Sequence, residues 1–349
     1  MRECCQYNRG GSLRTRFPAV IGLWILSLLG TARSQEFEQL KTERSFLFKG
    51  NTHTHTTMSD GDSPPEEVAR WYKTHGYRFL VLSDHNTLTD PASLAGLVDS
   101  TFLIIPGEEL TSDFRKKAVH VNGLNIPSVL KAQRDSTLLG TMQKNVDAVR
   151  SAGGVSHLNH PNFTWALDKE TLLQVKNNNL LEIYNGHPQV HNQGGSGHAS
   201  MEEAWDYLLT AGMRIYGIAV DDAHHFRGEF GPSRANPGRG WIVVGAAGLD
   251  AGEIMRNIEA GNFYSSTGVE LDRVQVTPRR VTITIKQKSD FGYRTEFIGA
   301  NGKTLLRSEE NPAVYDLVGG EKYVRAKVTD SGGAIAWVQP VFVEEKVKD

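Results

Sequence analysis

The sequence predicts an α/β barrel followed by a small β-sandwich, on three observations. Between about residues 46 and 268, short apolar runs alternate with helical segments. Imidazoles and carboxylates recur where those runs end. After about residue 270 the pattern becomes apolar–polar alternation with no helical segment between. Strands and helices joined by right-handed crossovers make a parallel sheet. About seven such units favour a closed, TIM-like barrel over an open sheet.

The runs "YRFLVLSD" (77–84), "TFLIIPG" (101–107), "AVHVNGL" (118–124), "GGVSHL" (153–158), "LLEIYN" (180–185) and "RIYGIAVDD" (214–222) read as strands, short and rich in Val, Ile and Leu, as strands buried on both faces are. Helices fit between them. Ser63 is placed to cap a helix whose first turn holds Pro64, Pro65, Glu66 and Glu67, and Gly76 to end it. Residues 137–151 carry Leu138, Met142, Val146 and Val149 near helical spacing and stop at Gly153–Gly154. Segments 201–211 and 250–260 stop at Gly212 and Gly261. Beyond 270, "RVQVTPRRVTITIKQK" and "EKYVRAKVTDSGGAIAWVQPVFV" alternate like strands, with "NG" and "SGG" turns. The expected domains are therefore a barrel over 35–270 and a β-sandwich over 271–349. The latter holds no histidine and is read as scaffold.

Residues 1–34 differ from the rest. Arg2, Arg9, Arg14 and Arg16 precede the apolar "FPAVIGLWILSLLG", and "TARSQ" follows with small residues at Ala32 and Ser34. This is the layout of a signal peptide cleaved near Ser34–Gln35. The apolar run is shorter than the ~20 residues that span a bilayer, so export to a secreted or periplasmic location, without a stable membrane anchor, is expected. Both cysteines, Cys4 and Cys5, lie in this segment. The exported chain would then use neither disulfide nor thiolate chemistry. The formal charge of the 349 residues is −2, which gives no reason to expect nucleic acid as a partner.

His53 and His55 in "GNTHTHTTMSDGD" are two residues apart and point to one side of a strand. Asp60 follows in a loop that can fold back. His85 ends "FLVLSDH", Glu108 and Glu109 follow "FLIIPG", and His120 lies on "AVHVNGL". His157 and His160 follow "GGV", and Asp221, Asp222, His224 and His225 follow "IYGIAV". In a barrel such strand ends gather on one face. So many carboxylates and imidazoles together need a compensating cation. Nitrogen and oxygen donors without sulfur suit Zn, Mn or Fe(II), and the number of groups exceeds what one catalytic zinc takes. At least two divalent ions are expected, with Glu109 preferred to Glu108 and His160 to His157. His75 reads as a helix-end residue. His187, His191 and His198, in "NGHPQVHNQGGSGH", read first as a solvent loop, with contact to substrate as the alternative.

In order along the chain, "THTHTTMSDGD", "VLSDHN", "PGEELTS", "HVNGL", "NHP" and "VDDAH" resemble the polymerase-and-histidinol-phosphatase (PHP) family of metal-dependent phosphoesterases over about residues 48–268. The resemblance implies a distorted (β/α)7 barrel holding up to three metal ions. Carried over position by position, it makes His53, His55, Asp60, His85, Glu109, His120, His160, Asp222 and His224 the ligands. It implies one ion among His53, His55, Glu109 and Asp222, a second among Glu109, His120 and His160, and a third among Asp60, His85 and His224. The export segment and the tail carrying Ala336, Trp337, Pro340, Phe342 and Val343 are similar to secreted members like the carbaryl-hydrolase group.

The function expected is hydrolysis of a small-molecule ester, foremost a phosphomonoester or phosphodiester. His53, His55, Glu109 and Asp222 would act through a water that their ions make acidic. Asp84 and Asn86 would orient ligands. Arg227, Arg234 or Arg239 is a possible clamp for a substrate anion, though solvent exposure is the simpler reading. The same ligands would serve hydrolysis of a carboxyl ester or carbamate. A non-catalytic metal- or polysaccharide-binding protein is the alternative from another class.

Overall fold

The computed structural model describes residues 47–343; the expected export segment and its cleavage point lie outside them. The first half runs β1 (Leu47–Asn51), α1 (Pro65–Thr74), β2 (Phe79–Leu82), β3 (Leu103–Phe114), β4 (Lys117–Leu124), α2 (Leu138–Ser151), β5 (Val155–Leu158), α3 (Lys169–Leu172) and β6 (Leu180–Asn185). It continues through α4 (Met201–Thr210), β7 (Tyr216–Val220), β8 (Trp241–Gly245), α5 (Ala251–Glu259) and β9 (Phe263–Ser266). Then come β10 (Leu271–Thr277), β11 (Arg280–Ile285), β12 (Tyr293–Gly299), β13 (Lys303–Ser308), β14 (Ala313–Asp316), β15 (Tyr323–Asp330) and β16 (Ile335–Phe342).

Local chemistry explains the helix starts. Thr137 accepts from the Gly140 N–H at the head of α2, and Ser200 with Glu203 forms a capping box on α4. At α1 the expectation is corrected: Pro64, with no side-chain cap, precedes the helix. Ser63 instead donates to Asp62 at 2.9 Å.

The fold is mixed α/β around one large sheet in the order β13-β12-β15-β16-β9-β8-β1-β2-β3-β4-β5-β6-β7. β1 to β3 pair in parallel, as do β5 to β7. The expectation of an all-parallel arrangement is corrected at β4, which is antiparallel to both β3 and β5. The β3–β4 turn places Arg115 and Lys116 at φ 50° and 70°. These positive values fit a tight hairpin, but no glycine or asparagine there announces it.

Side chains from every strand β1 to β9 meet in one apolar cluster, which includes Phe79, Val81, Ile105, Leu180, Ile218, Ile242 and Val244, closed by Ile254, Met255 and Ile258 of α5. The sheet therefore curls on itself. The outer edge of β7 is satisfied by side chains rather than a strand: Gln339 bonds both the N–H and the carbonyl of Gly217, while Ser265 bonds Gly217 and Ala219. Helices α2 and α4 cover the outer face with Met142, Val146, Trp205 and Leu208.

The C-terminal strands do not form a separate layer beside this sheet. β16 pairs antiparallel with β9 and extends it. β10, β11 and β14 make a second, three-stranded sheet, which packs Val281, Ile283 and Ile285 against Phe297, Val324, Ala326 and Val338. Arg325, buried, makes a two-pronged bond to Asp206 of α4 at 2.7 and 2.6 Å, and Tyr323 donates to the same carboxylate at 2.8 Å. Among the described residues no helix is long and apolar enough to cross a membrane.

Candidate metal centre

The nine side chains singled out from the sequence all converge. His53 and His55 follow β1 with one residue between them, and both imidazoles are fully buried. Asp60 returns to them because Gly61 packs flat on the His55 backbone; a Cβ there would lie 2.8 Å from it. His120 stands near the start of antiparallel β4, so it reaches the same rim as residues at the ends of the parallel strands. His160, Asp222 and Asn86 hold left-handed backbone at φ 22°, 49° and 51°. Such conformations cost ~1–3 kcal/mol each and persist where surrounding structure enforces them.

The distances fall into three groups. Asp222 Oδ1 lies 3.2 Å from His53 Nε2 and 3.1 Å from His55 Nε2, with Glu109 Oε2 3.5 and 3.4 Å from the same nitrogens. Glu109 Oε1 lies 2.9 Å from His120 Nδ1 and 3.2 Å from His160 Nε2. Asp60 Oδ1 is 3.3 Å from His224 Nε2, and its Oδ2 is 3.4 Å from His85 Nε2. Glu109 thus divides its two oxygens between two of the groups.

A buried polar layer fixes these side chains, and part of it was not foreseen. Glu182 of β6 accepts from His53 Nδ1 at 2.6 Å and from the His160 backbone N–H at 2.7 Å. Asn185 links Glu182 to Asp222, and Asn159 donates to Glu109 Oε1 at 2.8 Å. The one available signal was a lone glutamate inside the apolar run "LLEIYN". Asp84 accepts from Thr56 and Ser59 and so holds the loop after His55. Asn86 bonds the Thr111 backbone.

Electrostatics reflect crowding of opposite charges. Burial opposes charge on His53, yet Asp222, Glu182 and Glu109 raise its pKa well above the usual imidazole value. Burial, reinforced by His224, pushes His55 down to about 4. Burial resists ionisation of Glu109 and Asp222, but the facing imidazoles hold both well below the carboxylate range. The residues fit divalent cations on two grounds. The donors are imidazole nitrogen and carboxylate oxygen, without sulfur. His53 Nε2 and His55 Nε2 stand 3.2 Å apart, both facing Asp222 Oδ1 and Glu109 Oε2, a convergence of ring nitrogens and carboxylate oxygens that a cation would satisfy.

The remaining candidates sort plainly. Glu108 points away and accepts from the Leu130 N–H. His157 is buried behind the cluster, its ring 6.2 Å from that of His53. His75 bonds the Trp71 carbonyl and stacks on its indole at the end of α1. Arg227 is exposed and pairs with Glu67, Arg234 bonds the Arg227 carbonyl, and Arg239 bonds the carbonyls of Gly186 and Gly231. None of the three reaches the nine-residue cluster. His191 and His198 stack on Trp165 at 4.4 and 4.3 Å. His187 departs from the solvent-loop expectation: it lines the cluster's cavity beside Phe163, with its ring 5.3 Å from that of His224.

No family model matches the chain. The fold is shared with a solved two-domain protein of Bacteroides vulgatus ATCC 8482 that contains a predicted PHP-like metal-dependent phosphoesterase. That likeness covers 83% of this chain and 92% of the other, with a TM-score of 0.50 at 16% identity. An amidohydrolase from Chromobacterium violaceum overlaps less, at 13% identity over 54% of this chain and 93% of its own, with a TM-score of 0.38. In sequence, 79 residues are 32% identical to a 5'-3' exoribonuclease of Haemophilus influenzae, 22% of this chain and 28% of that protein's length. The chain thus shares the fold of that two-domain protein and carries a histidine–carboxylate cluster able to hold metal.

Proposed function

We propose that the protein is a metal-dependent hydrolase of ester bonds, acting on phosphomonoesters or phosphodiesters. The observation that carries this reading is Glu109, whose two oxygens face two different sets of imidazoles in one buried cluster. Two or three divalent ions, Zn, Mn or Fe, held by His53, His55, Asp60, His85, Glu109, His120, His160, Asp222 and His224, would acidify water and offset charge on the ester oxygens. The chain's own part is to keep that donor set rigid. Glu182 orients His53, Asn159 orients Glu109, and Asp84 holds the loop that carries Asp60. Among the described residues the cavity holds no thiol and no serine to act as nucleophile, which agrees with direct attack by water.

Residues 1–34 are read as an export signal, giving a secreted or periplasmic protein. Their basic start, apolar middle and small-residue cleavage site support this. We read the domains as 35–270 and 271–349, supported by the change of pattern near residue 270, with β16 of the second joined to β9 of the first in one sheet.

The test is metal analysis of the purified chain with assays on p-nitrophenyl phosphate, bis(p-nitrophenyl) phosphate and p-nitrophenyl acetate. Bound divalent metal and hydrolysis of a phosphate ester, lost on chelation, are expected. A folded, metal-loaded chain that turns over none of the three overturns the reading.

A further inference from the structure

The three groups of donors differ in their access to water. His53, His55, Glu109, His160 and Asp222, which make up most of the two inner groups, are buried. Asp60, His85 and His224, the outer group, keep side-chain exposures of 53%, 26% and 13%. The groups also differ in charge. Glu109 and Asp222 both face the inner imidazoles, whereas Asp60 is the one carboxylate facing Nε2 of His85 and of His224. An ion in the outer group would thus be held by less charge, be repelled by ions on the inner groups, and lie open to screening by solvent.

Asp60 comes to the outer group on the loop after His55. Thr57, Met58 and Asp60 of that loop are exposed, so little apolar packing holds it down. Hydrogen bonds at its two ends do so instead. Asp84 fixes the near end through Thr56 and Ser59. Asp62 fixes the far end. Its N–H donates to the His224 carbonyl at 2.8 Å, and its carboxylate accepts the N–H groups of Phe226 at 2.9 Å and Arg227 at 3.2 Å. Asp62 Oδ2 also stands 3.6 Å from Nη2 of Arg234. This clasp lies two residues from Asp60 and binds His224 itself, so it maintains the 3.3 Å approach of Asp60 Oδ1 to His224 Nε2.

We propose that the outer group is an exchangeable metal position, separate in affinity from the inner ones, and that Asp62 is its positioning residue, joining the loop that bears Asp60 to the strand end that bears His224. The inference rests on the reading of the nine side chains as metal ligands. Asp62 touches none of the inner donors, so its loss should act on the outer ion alone. Asp84 differs, because the Thr56 backbone that it holds adjoins His55.

The test loads the full chain with manganese, dialyses it against graded free-manganese buffers and counts the metal retained by elemental analysis. The unaltered chain is expected to lose metal in two steps, the weaker of which is absent from Asp60→Ala. Asp62→Ala should weaken that step about 10- to 100-fold, the usual cost of losing a partner that orients a ligand, and leave the tighter step where it was. Asp62→Asn keeps one acceptor oxygen for the Phe226 N–H and should fall between the two; it carries the comparison if circular dichroism shows that Asp62→Ala does not fold. Asp84→Ala should weaken both steps. Loss of metal in a single step, or an Asp62 variant that moves both steps together or neither, overturns the inference and leaves the metal reading standing. A chain that retains no metal removes both. Two-step retention shifted by Asp62→Ala, in a chain that hydrolyses no ester, supports the inference and removes the hydrolase reading.

Discussion

Glu182 accepts a hydrogen bond from His53 at 2.6 Å, with both side chains wholly withdrawn from solvent. That bond places the proton of His53 on Nδ1 and turns Nε2 towards Asp222 and Glu109. Partners of this kind fix the tautomer and aim of an imidazole ligand.

Glu182→Gln is therefore expected to lower metal affinity about 10- to 100-fold, the usual cost of losing such a partner. Glu182→Ala should in addition destabilise the metal-free chain by ~1–3 kcal/mol, since the Nδ1 of His53 is left buried without its acceptor. Elemental analysis after dialysis against graded metal buffers, with urea unfolding, checks both. Unchanged metal retention in Glu182→Gln would refute the positioning role.

Glu109 faces four imidazoles of the cluster besides His85, whose Nδ1 stands 2.8 Å from its Oε2. Glu109→Gln should reduce both metal content and phosphate-ester hydrolysis by more than the ~10–100-fold expected for Glu182→Gln. Parallel kinetics on the two variants with matched metal loading decides the order.

Glu108 gives a pH dependence independent of the cluster. Burial pushes its carboxyl up to about 7, against the Leu130 N–H bond that favours ionisation. A carboxyl raised in the folded state costs nothing below the unfolded value near 4.5. Its cost then grows as pH rises towards about 7 and is full above that. Glu108→Gln should remove this decline and stabilise the chain at pH 8 relative to pH 5 by at most ~3 kcal/mol. Urea unfolding of both proteins at the two pH values measures it; parallel pH profiles would count against a raised carboxyl.

Arg325 and Asp206 join the C-terminal strands to α4. Arg325→Met, which leaves Asp206 buried beside Tyr323 alone, should cost ~3–5 kcal/mol. Because β16 pairs with β9 in the same sheet, unfolding monitored by tryptophan fluorescence and by far-ultraviolet circular dichroism should coincide in one transition. Separate transitions for the two halves would show that the shared sheet does not couple them.

Much of the cluster was legible in the sequence because its residues sit where apolar runs end, and neighbouring parallel strands bring such ends together. His53, His85 and Asp222 could be placed on that rule alone. Glu182 could not, since a glutamate within "LLEIYN" reads equally as an outward-facing residue until the curl of the sheet turns it inward. His187 was hidden for a similar reason. Its loop is rich in glycine and polar residues like any solvent loop, and only the bond from Gln189 N–H to its ring shows how it is set.

The amino-acid order alone determined the short buried strands, the helices between them and the donor types at the strand ends, because these follow from local periodicity and side-chain chemistry. The tertiary structure alone decided that β4 runs antiparallel, that β16 joins β9, and that Gln339 and Ser265 close the edge of β7. Each of these depends on pairing between segments far apart in the chain, where backbone hydrogen bonds carry no sequence label and the choice falls to how the whole sheet curls around its core.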